Sequence, residues 1–188
     1  ARASATAGAT SASRDPAGPA AAARDKAALT GPPDRARPPL NLVLITLDTT
    51  RADHIGAYGF TRAQTQNIDE LAQDGVLFEN AIASAPITLP SHSSILTGLL
   101  PPAHGVRDNG TYALSDKAVT LAERLKAAGY ETRAFVSALV LNRRYKLNQG
   151  FDTYYHLNYT SASFRTTLPA ALDFAKKRSA AGEKFFVL

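Results

Sequence analysis

A threonine at the start of a short predicted helix is the first residue whose type and position suggest chemistry. Pro86 and Pro90 restrain the backbone around Thr88, and the pattern predicts a helix over Ser91–Thr97 that ends at Gly98. Free backbone N–H groups and the helix dipole favour an anion there, and they would help a metal-bound hydroxyl to ionise. Thr88 is therefore a candidate nucleophile, and an ordinary helix-capping threonine is the alternative.

A carboxylate after the first predicted strand is the second candidate. The continuous apolar run Leu42–Leu47 is typical of a strand buried on both faces of a parallel sheet, and Asp48 follows it directly. Sites in such sheets form at the carboxyl ends of the strands. Asp48 is either a loop anchor or a ligand of a hard divalent cation. If it faces the same crevice as Thr88, a metal at Asp48 would help to ionise the Thr88 hydroxyl.

The rest of the chain alternates predicted helices with predicted strands. Helices are predicted over Asn67–Gly75, Leu121–Ala128 and Leu168–Ala181, with Asn67, a Thr120–Glu123 capping box and Thr167 at their starts. Strands are predicted over Val76–Ala83, Tyr130–Ser137 and Lys184–Leu188, with loop over 99–112 and no clear periodicity over 139–163. This alternation predicts an α/β fold with a mostly parallel sheet and helices on both faces.

Composition and charge limit the possible functions. The 188 residues are 45% hydrophobic and can bury one core. Residues 1–39 are rich in Ala, Pro, Ser, Gly and Arg and are predicted to be a disordered tail or linker, with the folded domain over 40–188. No basic run alternates with aromatic residues, which disfavours nucleic-acid binding. The absence of Cys excludes disulfides and thiolate metal sites, and no segment is apolar enough to predict a membrane span.

Six different sequence motifs follow one another along residues 41–188. They are Leu44–Gly59, Asn67–Ala72, Gly75–Phe78, Leu96–Gly98, Pro102–Val106 and Gln149–Asp152. In this order the motifs resemble the sulfatase family of the alkaline phosphatase superfamily. The resemblance implies an alkaline phosphatase-like α/β catalytic domain, of which these residues would be the N-terminal portion. It also implies a hydrolase of sulfate or phosphate esters that uses a divalent metal ion, which could be Ca, Mg, Mn or Zn.

The resemblance also assigns roles to individual residues. Asp48 matches a ligand of the catalytic metal, and Thr49 stands where many sulfatases have a second Asp. Thr88 matches the nucleophile and would also contact the metal. Sulfatases place Cys or Ser there, oxidise it to formylglycine, and have an Arg four positions later, where this chain has His92.

The threonine changes the chemistry that the resemblance implies. Formylglycine expels sulfate by collapse of a hemiacetal, whereas a sulfated threonine must be attacked by water at sulfur. Threonine is the nucleophile in phosphodiesterase, nucleotide pyrophosphatase and phosphoethanolamine transferase relatives. Thr88 therefore favours phosphoryl over sulfuryl transfer. The alternatives are a transferase of a phosphoryl-linked headgroup and a non-catalytic binding module with the sulfatase fold.

Other polar residues have both chemical and structural interpretations. His92 could orient Thr88 or, when protonated, pair with a substrate oxyanion, and a capping-turn histidine is the alternative. Asn109 matches a position that contacts the transferring group in related monoesterases, and a turn-forming asparagine is the alternative. Arg107 could pair with an anionic ester or be solvated. Structural roles are predicted for Arg51, Asp53, His54, His104 and His156.

Further expectations concern the whole protein. The substrate would be a small-molecule, glycan or lipid ester, and the location extracytoplasmic, either periplasmic or membrane-tethered through a preceding segment. The other metal ligands of the family lie well after the nucleophile. The chain from Ala1 to Leu188 is therefore expected, by itself, to bind metal weakly and to show no turnover.

Overall fold

The structure is a computed structural model, and it describes residues 40–157 and 163–188, without the side chains of residues 163 and 164. The predicted tail over residues 1–39 lies outside the described residues. Its disorder and the domain boundary near residue 40 therefore stay predictions.

Four parallel strands form one sheet in the described part of the chain. They are β1 (Leu42–Val43), β2 (Glu131–Val136), β3 (Thr153–His156) and β4 (Phe185–Val187). The spatial order is β1-β4-β2-β3. Arg133 pairs with Thr153, and Leu42 pairs with Phe186. Parallel neighbours need crossover connections, and these contain α-helices before β2 and β4 but only short 3-10 turns between β2 and β3. The predicted parallel α/β fold is confirmed.

The described residues also contain five α-helices. They are α1 (Gln66–Asp74), α2 (Thr88–Thr97), α3 (Pro101–His104), α4 (Leu121–Ala127) and α5 (Ser163–Ala180). Four short 3-10 turns cover Ala52–His54, Gly56–Tyr58, Leu139–Leu141 and Arg143–Tyr145. The helix α3 interrupts the loop that was predicted over residues 99–112.

Local sequence signals explain several helix ends. The predicted capping box is present at α4, where the Thr120 side chain accepts from the Glu123 N–H and the Glu123 carboxylate accepts from the Thr120 N–H. Gly98 ends α2 in the left-handed region with φ 70°. Two predicted caps are wrong, because Thr65 rather than Asn67 precedes α1, and Thr167 lies inside α5. Each of these two helices begins earlier than its first apolar residue indicates.

The core has one part on each face of the sheet. Ala134 and Val136 in β2 are buried with Leu89 and Leu96 of α2 on one face. Phe135 points the other way and packs with Phe174, which belongs to α5. This alternation is the period of two expected for a strand. Helices therefore cover both faces of β2, which brings the first turn of α2 near the carboxyl end of the sheet.

Two strand predictions are wrong. The run Leu42–Leu47 forms a strand over only two residues, and Ile45 is 71% exposed. Among the described strands β1 pairs only with β4, so no strand on its other side extends it. Val76–Ala83 contains a turn and no strand, and Ile82 is 92% exposed. Apolar composition does not make a strand where no partner strand lies alongside it.

One strand was not predicted. Residues 139–163 were expected to be irregular, but β3 lies within them and pairs with β2 over four residues. Tyr154 of β3 is buried and donates from its hydroxyl to the Leu141 carbonyl oxygen at 2.7 Å. The neighbouring strand thus decides the conformation of a segment whose own pattern is ambiguous.

Candidate active site

Asp48 lies beyond the carboxyl end of β1. The chain is held to the sheet by the Leu44 N–H, which donates to the Val187 carbonyl oxygen at 2.9 Å. Thr49 follows Asp48 with a positive φ of 56°, an unusual conformation for a β-branched residue. In this turn the Thr49 N–H donates to Asp48 Oδ1 at 3.1 Å. Thr49 thus orients the carboxylate through its backbone.

Thr88 is the first residue of α2, and Ile87 occupies the capping position before it. The helix therefore begins one turn earlier than predicted, and Thr88 is not its cap. The Thr88 hydroxyl donates toward the Asp48 carboxylate, with Oγ1 3.1 Å from Oδ2 and 3.3 Å from Oδ1. The structure thus brings together the two residues that the sequence singled out for chemistry, 40 positions apart.

His92 lies one turn further along α2 and is buried, with 5% of its surface exposed. Its Nδ1 is 2.9 Å from the Thr88 carbonyl oxygen, and its Nε2 is 3.2 Å from the Thr46 hydroxyl. Both ring nitrogens therefore have protein partners. Of the two roles predicted for His92, this geometry favours orienting the Thr88 turn over pairing with a substrate oxyanion.

Asn109 and Arg107 lie in the exposed loop that follows α3. Asn109 Oδ1 accepts from the Leu89 N–H at 2.8 Å, which ties this loop to the first turn of α2. Asn109, one of the two side chains predicted to bind the substrate, is therefore in direct contact with the first turn of α2.

The oxygen atoms of Asp48 and Thr88 are suited to binding a hard metal ion. A carboxylate and a hydroxyl are ligands that hard cations such as Mg²⁺, Ca²⁺ and Mn²⁺ prefer, so the donor chemistry fits. Within residues 40–157 and 163–188, no three or more His, Cys, Asp or Glu side chains gather as a metal site. The described residues thus offer a pair of oxygen ligands rather than a closed site.

Arg51, Asp53, His54 and His104 each make a side-chain hydrogen bond, and their structural roles stay predictions. The Arg51 guanidinium donates to both carboxylate oxygens of Asp53, and this contact, with a smaller one from His54, lowers the pKa of Asp53 to about 2. His104 Nδ1 accepts from the Val106 N–H, and its Nε2 lies 3.0 Å from the Ser94 hydroxyl.

The His156 Nε2 donates to the Ala138 carbonyl oxygen at 3.1 Å, and its structural role stays a prediction.

The sequence did not single out Thr46, which is the partner of His92. The spacing was a signal that could have identified it. Thr46 precedes Asp48 by two positions, and side chains two positions apart in an extended chain share a face. Nothing in the composition indicates which helix would meet that face.

An apolar cavity of about 300 Å³ opens beside Asp48 and His92. Its walls come from the segment after β1, the carboxyl ends of β2 and β4, and α5, and they include Leu47, Val136 and Leu172. Asp48 and His92 thus lie at the edge of an apolar cavity.

Comparison with known proteins decides the family. The sequence model of the sulfatase family matches residues 40–172. The chain belongs to the sulfatase family. Human N-acetylgalactosamine-6-sulfatase is 31% identical over an alignment of 132 residues that covers 62% of this chain and 25% of that protein. This sulfatase-family chain therefore spans about a quarter of the length of that curated relative.

Solved structures agree with the predicted alkaline phosphatase-like fold. A protein in complex with its substrate D-glucosamine-2-N,6-O-disulfate superposes with a TM-score of 0.68 at 22% identity, over 80% of this chain and 33% of that one. The phosphonate monoester hydrolase of Agrobacterium radiobacter gives a TM-score of 0.56 at 27% identity, over 76% and 29% of the two chains. None of the helices in the described ranges is long and apolar enough to cross a membrane.

Proposed function

We propose that the full-length protein hydrolyses sulfate or phosphate esters with Thr88 as the nucleophile. The observation that carries this proposal is the contact between the Thr88 hydroxyl and the Asp48 carboxylate, at 3.1 Å, on the first residue of α2. Membership of the sulfatase family supports an ester hydrolase. The positive end of the helix dipole also favours the anionic group of such an ester.

The proposed reaction has two steps that use this chain's residues. Thr88 Oγ1 attacks sulfur or phosphorus, its proton passes to Asp48 Oδ2, and the bond from sulfur or phosphorus to the leaving oxygen breaks. The leaving alkoxide takes that proton from Asp48 and departs as the alcohol. Water then attacks the sulfur or phosphorus of the Thr88 ester, which releases sulfate or phosphate and restores the hydroxyl.

A divalent metal ion is part of this proposal. Asp48 and Thr88 would contribute oxygen ligands. When bound, the ion would act as a Lewis acid toward the ester oxygens. Thr49 would keep the Asp48 carboxylate turned toward Thr88 through its backbone N–H rather than through its side chain.

Asn109 and Arg107 are proposed to bind the anionic part of the substrate. Asn109 already contacts the backbone of the nucleophile turn through Oδ1, which leaves its amide group as a donor for an ester oxygen. Arg107 is exposed two residues earlier in the same loop and can pair with a sulfate or phosphate oxygen.

The choice between sulfate and phosphate depends on the residue at the nucleophile position. Threonine cannot form formylglycine, which favours phosphate esters, whereas the names of the relatives favour sulfate esters on sugars. The first substrates to test are p-nitrophenyl sulfate, p-nitrophenyl phosphate, bis(p-nitrophenyl) phosphate and a 6-O-sulfated amino sugar.

An extracytoplasmic location is also proposed, and cell fractionation tests it.

The decisive experiment compares Thr88→Ala and Thr88→Ser with wild type in the full-length protein. We expect Thr88→Ala to lose at least about 1,000-fold in kcat/KM, and Thr88→Ser to retain measurable turnover because it keeps the hydroxyl. Thr153→Ala changes an exposed residue of β3 and should stay within about twofold of wild type. Equal rates for wild type and Thr88→Ala would exclude Thr88 as the nucleophile.

The same assay separates the two alternative functions. A transferase would give an acceptor that carries the phosphoryl group instead of free phosphate. A binding module would give no turnover of any ester with added Mg²⁺, Ca²⁺, Mn²⁺ or Zn²⁺, and it would keep its ligand affinity in Thr88→Ala.

A further inference from the structure

Two hydrogen bonds join the segment after β1 to the first turns of α2. One runs between the Thr88 hydroxyl and the Asp48 carboxylate, and the other between the Thr46 hydroxyl and His92 Nε2. The two partners on the segment are two positions apart, and the two partners on the helix are four positions apart. We refer to these two contacts together as the Thr46–Thr88 ladder.

The spacing of the ladder follows from the geometry of its two sides. Burial alternates along residues 44–47, which is the pattern of an extended chain whose side chains two positions apart share a face. Two residues of an extended chain span about 6.6 Å. Four residues of an α-helix rise about 6 Å and also share a face. The two distances are similar, so the two contacts can form side by side.

The hydrogen-bond partners determine which nitrogen of a neutral His92 ring carries the proton. The Thr88 carbonyl oxygen can only accept, so Nδ1, at 2.9 Å, must carry a proton. In the neutral ring Nε2 therefore accepts from the Thr46 hydroxyl, at 3.2 Å. Because His92 is buried, water does not compete freely for either nitrogen. Thr46 thus holds the ring, and the ring holds the backbone of the residue that carries the nucleophile.

We propose that Thr46 is a positioning residue, whose hydroxyl acts through His92 to hold Thr88 opposite Asp48. This inference rests on the proposed function for its effect on rate, but the ring state of His92 can be measured without turnover. No hydrogen bond among the described residues joins Thr46 to the Asp48 carboxylate or to the Thr88 hydroxyl. It acts by fixing the register between the segment and the helix.

The experiment uses Thr46→Val and Thr46→Ser in the full-length protein. Valine keeps the shape of threonine and removes the hydroxyl, whereas serine keeps the hydroxyl. A misplacement of about 1 Å costs about 100-fold in rate, so we expect kcat to fall about 10- to 100-fold in Thr46→Val with KM changed less than about threefold. Thr46→Ser should recover most of the rate, and Thr153→Val serves as the matched exposed control.

A second readout is the nitrogen spectrum of the histidine rings after selective ¹⁵N labelling. We expect the His92 signal, assigned by its loss in His92→Gln, to show a protonated Nδ1 and an accepting Nε2. In Thr46→Val the Nε2 resonance should move, while the His104 resonances stay unchanged. Unchanged His92 resonances in Thr46→Val would overturn the proposal, because they would mean that Thr46 does not hold the ring.

The two readouts distinguish the possible failures. If no ester is turned over but the His92 resonances respond to Thr46→Val, the proposed function fails and the ladder stands. If Thr88 proves essential but Thr46→Val has the wild-type kcat, the positioning role of Thr46 is wrong and the proposed nucleophile stands.

Discussion

The Asn109 side chain accepts a hydrogen bond from the Leu89 backbone N–H at 2.8 Å, across 20 positions of sequence. Leu89 is the second residue of α2, and the first N–H groups of a helix have no partner within it. The capping residue Ile87 has no polar side chain to supply one. A loop residue therefore caps the helix that carries the proposed nucleophile.

The first prediction concerns this cap. Asn109→Ala should lower the free energy of unfolding by about 1 kcal/mol, because the Leu89 N–H loses its acceptor. Asn109→Asp keeps an acceptor at a helix N-terminus and should stay close to wild type in stability. If Asn109 also contacts the substrate, the added negative charge should raise KM for an anionic ester. Urea unfolding and steady-state kinetics measure the two effects.

The two variants separate capping from substrate contact. Wild-type stability in Asn109→Ala would contradict the cap. A wild-type KM in Asn109→Asp would contradict the substrate contact and leave the cap in place.

The second prediction concerns the pH dependence of stability. Burial lowers the pKa of His104, whose Nδ1 accepts from the Val106 N–H and whose Nε2 donates to the Ser94 hydroxyl. The unfolded chain then binds more protons than the folded one below the ordinary histidine pKa of about 6.5. The contribution of neutral His104 to the free energy of unfolding is therefore fully present above about pH 6.5. It is lost as the pH falls from 6.5 through the lowered pKa of His104.

The variant His104→Gln tests this sign. The difference in unfolding free energy between pH 8 and pH 5.5 should be smaller in His104→Gln than in wild type, since the variant has no group there to protonate. Denaturant unfolding at the two pH values gives both differences. Identical differences in the two proteins would show that His104 does not titrate with unfolding in this range.

The third prediction concerns the turn against which α4 packs. Gly150 has φ 84°, and a β-carbon there would lie 2.2 Å from the Glu123 backbone nitrogen, inside the capping box. Gly150→Ala should therefore cost more than about 2 kcal/mol, because both the backbone conformation and the contact resist it. Gly110 has open space around it and no positive φ. Gly110→Ala should stay within about 0.5 kcal/mol of wild type or stabilise slightly.

Thermal or urea unfolding of the two alanine variants measures this difference. Similar losses at Gly150 and Gly110 would mean that the turn at Gly150 adapts without moving the start of α4.

The sequence alone predicted the parts of the fold that depend on local chemistry. The Thr120–Glu123 capping box, the glycine at the end of α2 and the strand β2 all follow from residues close together in the chain. The alternation of strands and helices was sufficient to predict a parallel sheet. The order of the motifs identified both Asp48 and Thr88, which the structure brings into contact.

The features that the sequence did not predict depend on distant neighbours. The strand β3 exists because β2 lies beside it, and Val76–Ala83 is not a strand although its composition suits one. The contact of Thr46 with His92 spans 46 positions, and no periodicity reports it. Local pattern gives the face that a residue occupies, but only the packed structure gives its partner.

The pairing of β1 with β4 also sets the order in which the site can be assembled during synthesis. Asn41 accepts from the Phe185 N–H across 144 positions, and the Leu44 N–H is held by Val187. A ribosome that adds 5–20 residues per second needs on the order of ten seconds to cover such a distance. The segment that presents Asp48 is therefore made well before the strand that anchors it, so β4 cannot fix the carboxylate opposite Thr88 until Val187 has been added.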